Sequence, residues 1–281
     1  MRSILIPTDL SPASYQALPF ARDLSEKGNT RFSMIHVYKN DCINLFPSYR
    51  DQAVSVMKNL LVNYRLTDLP HRCYIREGDV SDCVAKAAGE QPESFVIMGR
   101  NVVPDDGPKE GTAFKIVKKA PCPVLFIPQG RLQSPVFEIL YVINIEQGAN
   151  ETLKSVLRFS GELNAHLTYL HVMPLNATAT YRKGFSEDIL RSGNQDLSCS
   201  FIRANDIYAG IRLYLRNKQA DIIAIDTYSD SGFFKKFRRS LVVQLLTQSD
   251  FPVLFYNSKR NHGRVWSFHK EEHKNENTTV S

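Results

Sequence analysis

A candidate phosphate-binding segment lies between two short apolar runs in the first half of the chain. The first run, FVIM at residues 95–98, stops at Gly99, and the second, VLFI, occupies residues 124–127. Each run is long enough for one buried parallel strand. In an open α/β sheet, ligands bind outside the carboxyl ends of the strands, where loop amides and helix N-termini face anions. The segment from Gly99 to Thr112 is therefore where the sequence would bind a phosphate.

A helix must join these two strands. The helical stretch at residues 112–119 follows a loop at 100–110 that is rich in proline, aspartate and glycine. The prolines of the segment APCP (120–123) end this helix, since proline lacks an N–H and clashes with the preceding turn. We interpret Cys122, between those prolines, as a small buried apolar residue rather than a reactive thiol.

Three further strands precede this unit. They are predicted at residues 4–6, 32–37 and 72–76. We expect Ser11 to cap the first helix, with Pro12 at its first position, and Pro19 to kink it or break it early. A second helix is predicted from Ser48, and a third after Asp79. Asp79, and Asp206 later in the chain, are interpreted as N-caps at helix starts. The pattern is that of a five-stranded α/β unit.

The same order of elements then occurs again. His171 lies 135 positions after His36, and the segment FPVLF at 251–255 repeats CPVLF at 122–126 at a spacing of 129. This is an internal duplication, with a predicted linker at residues 129–136. The predicted units are residues 1–130 and 136–258, followed by a polar tail at 259–281 that we expect to be disordered.

Composition narrows the functional classes. The five cysteines are an odd number without a C-x-x-C pair, which favours neither a disulfide framework nor a zinc site. The net charge of +6 comes from scattered residues, which favours a basic solvated surface over a nucleic-acid interface. No apolar run reaches the roughly 20 residues of a membrane span, and the N-terminus has no signal-peptide region. We therefore expect a cytoplasmic protein without a membrane partner.

Three segments resemble the universal stress protein family in its tandem, two-domain form. They are ILIPTDLS at residues 4–11, VIMG at 96–99 and APCPVL at 120–125. The resemblance covers both halves, roughly residues 1–258. It implies an α/β fold of two tandem five-stranded parallel-sheet sandwiches, Rossmann-like and similar to the adenine nucleotide alpha hydrolases, in a pseudo-twofold arrangement.

Some members of that family bind ATP through a pattern of Gly, two residues, Gly, nine residues and Gly-Ser/Thr, together with an Asp after the first strand. The resemblance places a candidate ATP site in the first half at Asp9, Val37, Gly99, Gly111 and Thr112. However, Val102 replaces the second glycine, and the loop carries Asp105, Asp106 and Glu110. A like charge at about 4 Å costs on the order of 4 kcal/mol at an effective dielectric constant of about 20. We therefore expect at most one weak site, with no metal other than nucleotide-bound Mg²⁺.

The second half keeps the spacing of the pattern but not its residues. Asp226, Ser229 and the pair Arg239-Ser240 stand where the glycines and Gly-Ser belong, and Asn144 replaces the first-strand Asp. Asp226 would place a carboxylate against the phosphates, so we expect no ATP site here. The basic run around Arg239 is interpreted as a solvated helix end.

These features predict a binding and regulatory protein that acts in stress response through an unidentified protein partner, without enzymatic turnover. The alternative is an ATP-binding universal stress protein with slow ATP hydrolysis, or an ATP-dependent enzyme on the same fold. The resemblance also implies pairing of the halves through the final strands, Val124–Ile127 and Val253–Tyr256, since exposed apolar edge strands must be covered. A homodimer would then be optional.

Overall fold

A computed structural model describes nine stretches of the chain: residues 2–26, 30–38, 48–91, 94–99, 111–128, 136–143, 151–176, 198–228 and 232–258. The loop at 100–110, residues 129–135 of the predicted linker and the tail at 259–281 lie outside the described residues. The predictions made for those segments therefore stay predictions.

The first half contains the five predicted strands and four helices. The strands are β1 (Arg2–Thr8), β2 (Thr30–Tyr38), β3 (His71–Glu77), β4 (Ser94–Gly99) and β5 (Val124–Ile127). The helices are α1 (Ala17–Glu26), α2 (Tyr49–Asn63), α3 (Val80–Gly89) and α4 (Thr112–Lys119). The side chains of β5 and of residues 3–8 in β1 are buried, as expected for a sheet covered on both faces. Those of β3, at the edge of the sheet, are exposed or half-buried.

The second half repeats the order of strands and helices. Its strands are β6 (Glu138–Val142), β7 (His166–Pro174), β8 (Ser198–Ala204), β9 (Ile222–Asp226) and β10 (Val253–Tyr256). Its described helices are α5 (Glu151–Leu163), α6 (Ile207–Leu215) and α7 (Gly232–Gln248). No helix in the described stretches has the length and apolar character that a membrane crossing needs.

All ten strands form one sheet, in the order β3-β2-β1-β4-β5-β10-β9-β6-β7-β8. The strands within each half are parallel, and β5 and β10 meet antiparallel at the centre. Leu254 lies opposite Leu125 in this central pair, and both side chains are fully buried. The last strand of each half, which would be an exposed edge in an isolated unit, is thus hydrogen-bonded to the other half.

An apolar layer covers each face of the sheet and crosses from one half to the other. On the face of α1, α2 and α5, Phe95 of β4 stacks on Phe159 of α5, with ring centroids 5.8 Å apart. On the opposite face, residues of α4 and α7 belong to one cluster with β5 and β10. The two halves therefore share their cores as well as their sheet.

The start of the first helix differs from its prediction. The Ser11 side chain donates to Asp9 Oδ1 instead of capping a helix, a 3-10 turn occupies Ser14–Gln16, and α1 begins only at Ala17. Pro19 consequently lies in the first turn of α1, where backbone N–H groups have no partner within the helix. The predicted kink at Pro19 is wrong for this reason.

Two capping predictions are confirmed. Asp79 accepts a hydrogen bond from the Asp82 N–H at 3.1 Å and caps α3. Asp206 accepts one from the Ala209 N–H at 2.7 Å and caps α6. Because these aspartates occupy matched positions, they also mark the register in which the two halves can be compared.

Candidate functional site

A cavity of about 710 Å³ opens at the carboxyl ends of β1, β2 and β4. All five residues that the resemblance assigns to an ATP site line it: Asp9, Val37, Gly99, Gly111 and Thr112. A cavity of this volume falls in the usual range for small-molecule sites, about 300–1,000 Å³. The sequence-predicted residues, which come from five separate elements or connections, are thus brought to one place.

A strained turn after β1 holds Asp9 at the cavity wall. Leu10 has a φ of 62°, a backbone conformation that bulky side chains rarely adopt. Its N–H donates to Thr8 Oγ1 at 3.0 Å, and the Tyr15 hydroxyl donates to its carbonyl at 2.5 Å. Asp9 Oδ1 accepts the Ser11 N–H at 2.9 Å and the Ser11 hydroxyl at 2.5 Å. Side-chain hydrogen bonds on both sides of Leu10 therefore fix the turn.

Asp9 supplies a negative charge at this end of the cavity. Burial raises the pKa of its carboxyl, but hydrogen bonds with the side chain and backbone of Ser11 and with the Ser14 side chain outweigh burial. The pKa therefore lies below the ordinary value of 3.8. An ionised carboxylate only accepts hydrogen bonds, so this wall suits hydroxyl or amino groups of a ligand and disfavours phosphates.

The N-terminus of α4 has the opposite character. Gly111 is the N-cap residue, with extended backbone and no side-chain hydrogen bond to the helix, and the first turn from Thr112 carries no acidic residue. The first N–H groups of a helix have no intrahelical partners and carry partial positive charge. This end of the cavity therefore favours an anion.

Gly99 lies at a point of close backbone packing. A Cβ at this position would lie 2.1 Å from the Ala13 carbonyl oxygen and 3.2 Å from Ser14 Cα. The glycine is thus needed because the backbone before the 3-10 turn packs directly against the end of β4. The assignment of Gly99 to a nucleotide site stays a prediction, and the residue lines the cavity.

His36 supports the same turn from the neighbouring strand. Its Nδ1–H donates to the Thr8 carbonyl at 2.9 Å, and its Nε2 lies 2.8 Å from the Tyr49 hydroxyl. In the second half, His171 Nδ1 makes the matched bond to the Ile143 carbonyl at 3.0 Å. The histidines thus join the ends of adjacent strands in both halves. No cluster of three or more potential metal ligands occurs among the described residues.

The matched strand end of the second half is occupied by the carboxylate of Asp226. Its Oδ2 accepts the Thr152 hydroxyl at 2.8 Å, and its Oδ1 accepts the N–H groups of Tyr228 at 2.8 Å and Ser258 at 3.3 Å. Burial raises the pKa of Asp226 above 3.8, although these hydrogen bonds act in the opposite direction. Asp226 therefore links α5 to the ends of β9 and β10, rather than standing against a phosphate.

The pair Arg239-Ser240 lies inside a helix instead of at its start. Helix α7 begins at Gly232, so the amides of Arg239 and Ser240 belong to the helix interior. The basic run from Lys235 to Arg239 thus begins in the first turn of α7, and Arg239 is exposed. Ser229 and Asn144, the other replaced positions, lie outside the described residues.

Sequence reasoning missed one wall of the first-half cavity. Val243, Leu246, Thr247 and Gln248, all on α7 of the second half, also line it. The signal was present in the sequence, since antiparallel pairing of β5 with β10 brings the connection before β10 to the carboxyl end of β5. The family resemblance assigns the candidate site to the first half alone.

No protein-family model matches the sequence, and no curated protein matches it significantly. Solved structures do match. A universal stress protein from Archaeoglobus fulgidus DSM 4304 superposes with a TM-score of 0.74 at 14% identity, covering 91% of this chain and 96% of that chain. A protein of unknown function from Pseudomonas aeruginosa PAO1 gives 0.66 at 17% identity, covering 92% and 93%.

The cytoplasmic domain of a prokaryotic cation chloride cotransporter also matches, with a TM-score of 0.56 at 12% identity over 94% of this chain and 98% of that chain. These likenesses concern the fold. The chain has the α/β fold of the universal stress proteins, with two units in one ten-stranded sheet.

Proposed function

We propose that this chain is a stress-response protein that binds one adenine nucleotide weakly in the first-half cavity and acts through a protein partner. The observation that supports the proposal is the meeting of all five candidate residues in one cavity of about 710 Å³. The second half, where Asp226 occupies the matched strand end, would carry no nucleotide of its own.

The two ends of the cavity fit the two ends of a nucleotide. Asp9 would accept hydrogen bonds from the hydroxyl or amino groups of the nucleoside. The amides at Gly111 and Thr112 would bind the phosphate end, where the helix N-terminus is positive. Acidic residues at 105, 106 and 110 of the sequence would weaken the binding of a triphosphate, so we expect a dissociation constant above about 1 μM.

The described side chains of this cavity favour binding of a nucleotide without its hydrolysis. Among its described lining residues, Asp9 is the one titratable side chain, whereas ATP hydrolysis needs groups that position a nucleophile and a metal ion. A slow ATPase or an ATP-dependent enzyme is the alternative. Release of labelled phosphate by the purified protein, lost in Asp9→Ala, would favour that alternative.

The test of the binding site is a calorimetric titration with ATP and Mg²⁺, comparing the parent with Gly111→Asp and Gly111→Asn. A Cβ added at Gly111 meets nothing within 4 Å, and both substitutes are good N-caps. Only aspartate adds a charge beside the phosphates, so Gly111→Asp should weaken binding at least tenfold more than Gly111→Asn. Equal affinities of the two variants would move the site elsewhere. A parent that binds no adenine nucleotide would overturn the proposal.

A further inference from the structure

The cavity belongs to both halves of the chain. Four of its lining residues, Val243, Leu246, Thr247 and Gln248, lie in the last turns of α7. They face first-half residues such as Ala113 and Phe126, which line the same cavity. A ligand in this cavity would therefore lie between a first-half site and a second-half wall.

The sheet fixes this wall in place. Strand β10 pairs antiparallel with β5, and Val253, its first residue, lies opposite Phe126. Because α7 leads directly into β10, its C-terminal end must come to the carboxyl end of β5, which is the cavity side of the first half. Leu246 is buried in the same apolar cluster as Ile116 of α4. The wall is held by both strand pairing and core packing.

The chemistry of the wall differs from that of the helix N-terminus across from it. A helix C-terminus carries partial negative charge, and the last turn of α7 contains no basic residue. Thr247 directs its hydroxyl to the Val243 carbonyl at 2.8 Å, whereas Gln248 is exposed and its amide can both donate and accept hydrogen bonds. A neutral amide of this kind suits the base or sugar of a nucleotide better than its phosphates.

We infer that the second half completes the nucleotide site: Gln248 hydrogen-bonds the nucleotide held at Asp9 and Gly111, and the bound ligand joins the two halves across the β5–β10 pair. The inference rests on the proposed function, and it adds a residue and a role for the second half. The second half, in which Asp226 occupies the matched strand end, would thus form one wall of the site in the first half. A ligand bound in the cavity would then contact both halves of the chain.

Titration of ATP and of adenosine into Gln248→Ala tests the contact, with Gln244→Ala as the matched control. Gln244 is the same residue type on the same helix, one turn earlier, and does not line the cavity. Loss of one hydrogen bond should weaken binding about three- to tenfold in Gln248→Ala and leave Gln244→Ala at the parent value. An equal loss for adenosine and ATP is expected if the amide contacts the nucleoside.

Hydrogen exchange of the full chain gives a second measurement that needs no variant. Saturating ATP should slow exchange of amides at residues 243–249 as well as at residues 8–11. If binding is weakened by Gly111→Asp but unaffected by Gln248→Ala, and residues 243–249 gain no protection, the inference is wrong while the proposed function stands. A parent that binds neither ATP nor adenosine overturns both.

Discussion

The two halves place different groups at the same point of the same fold. At the end of β4, Gly99 leaves room for the backbone of Ala13 and Ser14, and a cavity follows. At the end of β9, Asp226 accepts hydrogen bonds from Thr152, Tyr228 and Ser258. The strand order is shared, so the difference lies in side chains and not in topology. After duplication, one copy can thus keep an open site while the other uses the same position to join its own elements.

The packing of a helix against the neighbouring strand also differs between the two halves. Val37 lines the first-half cavity, whereas the matched Val172 is only 1% exposed. Gly210 of α6 lies against Val172 so closely that a Cβ would come within 2.5 Å of its Cγ1. The first half has Cys83 in that helix position, four residues after the capping Asp79. A glycine in α6 therefore brings helix and strand closer together in the second half.

Separating the halves should have the largest effect on stability. Leu125 and Leu254 face each other in the central strand pair and are fully buried. Leu254→Lys would place an unpaired ammonium group there, which should lower the free energy of unfolding by roughly 5 kcal/mol or more. Chemical denaturation of the purified variant measures the loss, if it folds at all.

The control for this variant is Val62→Lys. Val62 is 61% exposed on α2, so the substitution should change stability by no more than about 0.5 kcal/mol. A Leu254→Lys protein as stable as the control would show that the central pair does not hold the halves together.

Removing the Asp226 carboxylate should have the next largest effect. Asp226→Ala leaves the Thr152 hydroxyl and the Tyr228 N–H without their acceptor, and Thr152 is buried. We expect a loss of about 3 kcal/mol, because hydrogen bonds to charged groups contribute more than neutral ones. Asp68→Ala, at an exposed position, should cost less than about 0.5 kcal/mol. Equal stabilities of these two variants would contradict a joining role for Asp226.

Two glycines of the candidate site should respond differently to alanine. In Gly99→Ala the new Cβ meets the Ala13 carbonyl oxygen, whereas in Gly111→Ala it meets nothing within 4 Å. We expect a loss of about 2 kcal/mol for Gly99→Ala, as is typical of overpacking. Gly111→Ala, whose φ of −65° suits alanine, should stay within about 0.5 kcal/mol. Thermal unfolding of both would show whether backbone packing or ligand access explains Gly99.

Periodicity and spacing predicted the architecture well. The five strands predicted in the first half and residues 253–255 of the segment at 251–255 all form strands of the sheet, because short buried strands have few alternatives once prolines and glycines bound them. The duplication followed from residue identities at similar spacings, such as His36 with His171 at 135 positions. The resemblance supplied the candidate site residues, and those of β1, β2 and β4 lie together because parallel strands of one half bring their carboxyl ends to the same edge of the sheet.

Other features depend on contacts that no local pattern encodes. Ser11 has the residue type of a helix cap, but its hydroxyl is used by Asp9, a choice set by the turn at Leu10. The position of Arg239 relative to a helix start depended on where α7 begins. The contribution of Gln248 to the cavity depends on how the second half is oriented relative to the first. In each case the competing interaction comes from elsewhere in the fold.

The smallest expected effect is the pH dependence of stability that comes from the carboxyl groups of Asp9 and Asp226. Hydrogen bonds hold the pKa of Asp9 below 3.8 despite burial, whereas burial raises the pKa of Asp226 above 3.8. A lowered pKa stabilises the fold above pH 3.8, and this contribution is lost as the pH falls through the folded-state pKa. A raised pKa stabilises the fold fully below pH 3.8, and that contribution is lost as the pH rises through the folded-state pKa.

Asp9→Asn and Asp226→Asn should therefore respond to pH with opposite signs. As the pH falls from 7 towards 3, the stability difference between parent and Asp226→Asn should shift in favour of the parent, since protonation of Asp226 favours the fold. The difference between parent and Asp9→Asn should shift against the parent at the acid end, and only slightly, because solvent screens a side chain as exposed as Asp9. Urea denaturation at several pH values measures both differences. Shifts of the same sign for the two variants would mean that the two carboxyl groups have similar environments, and the contrast drawn between the halves would fail.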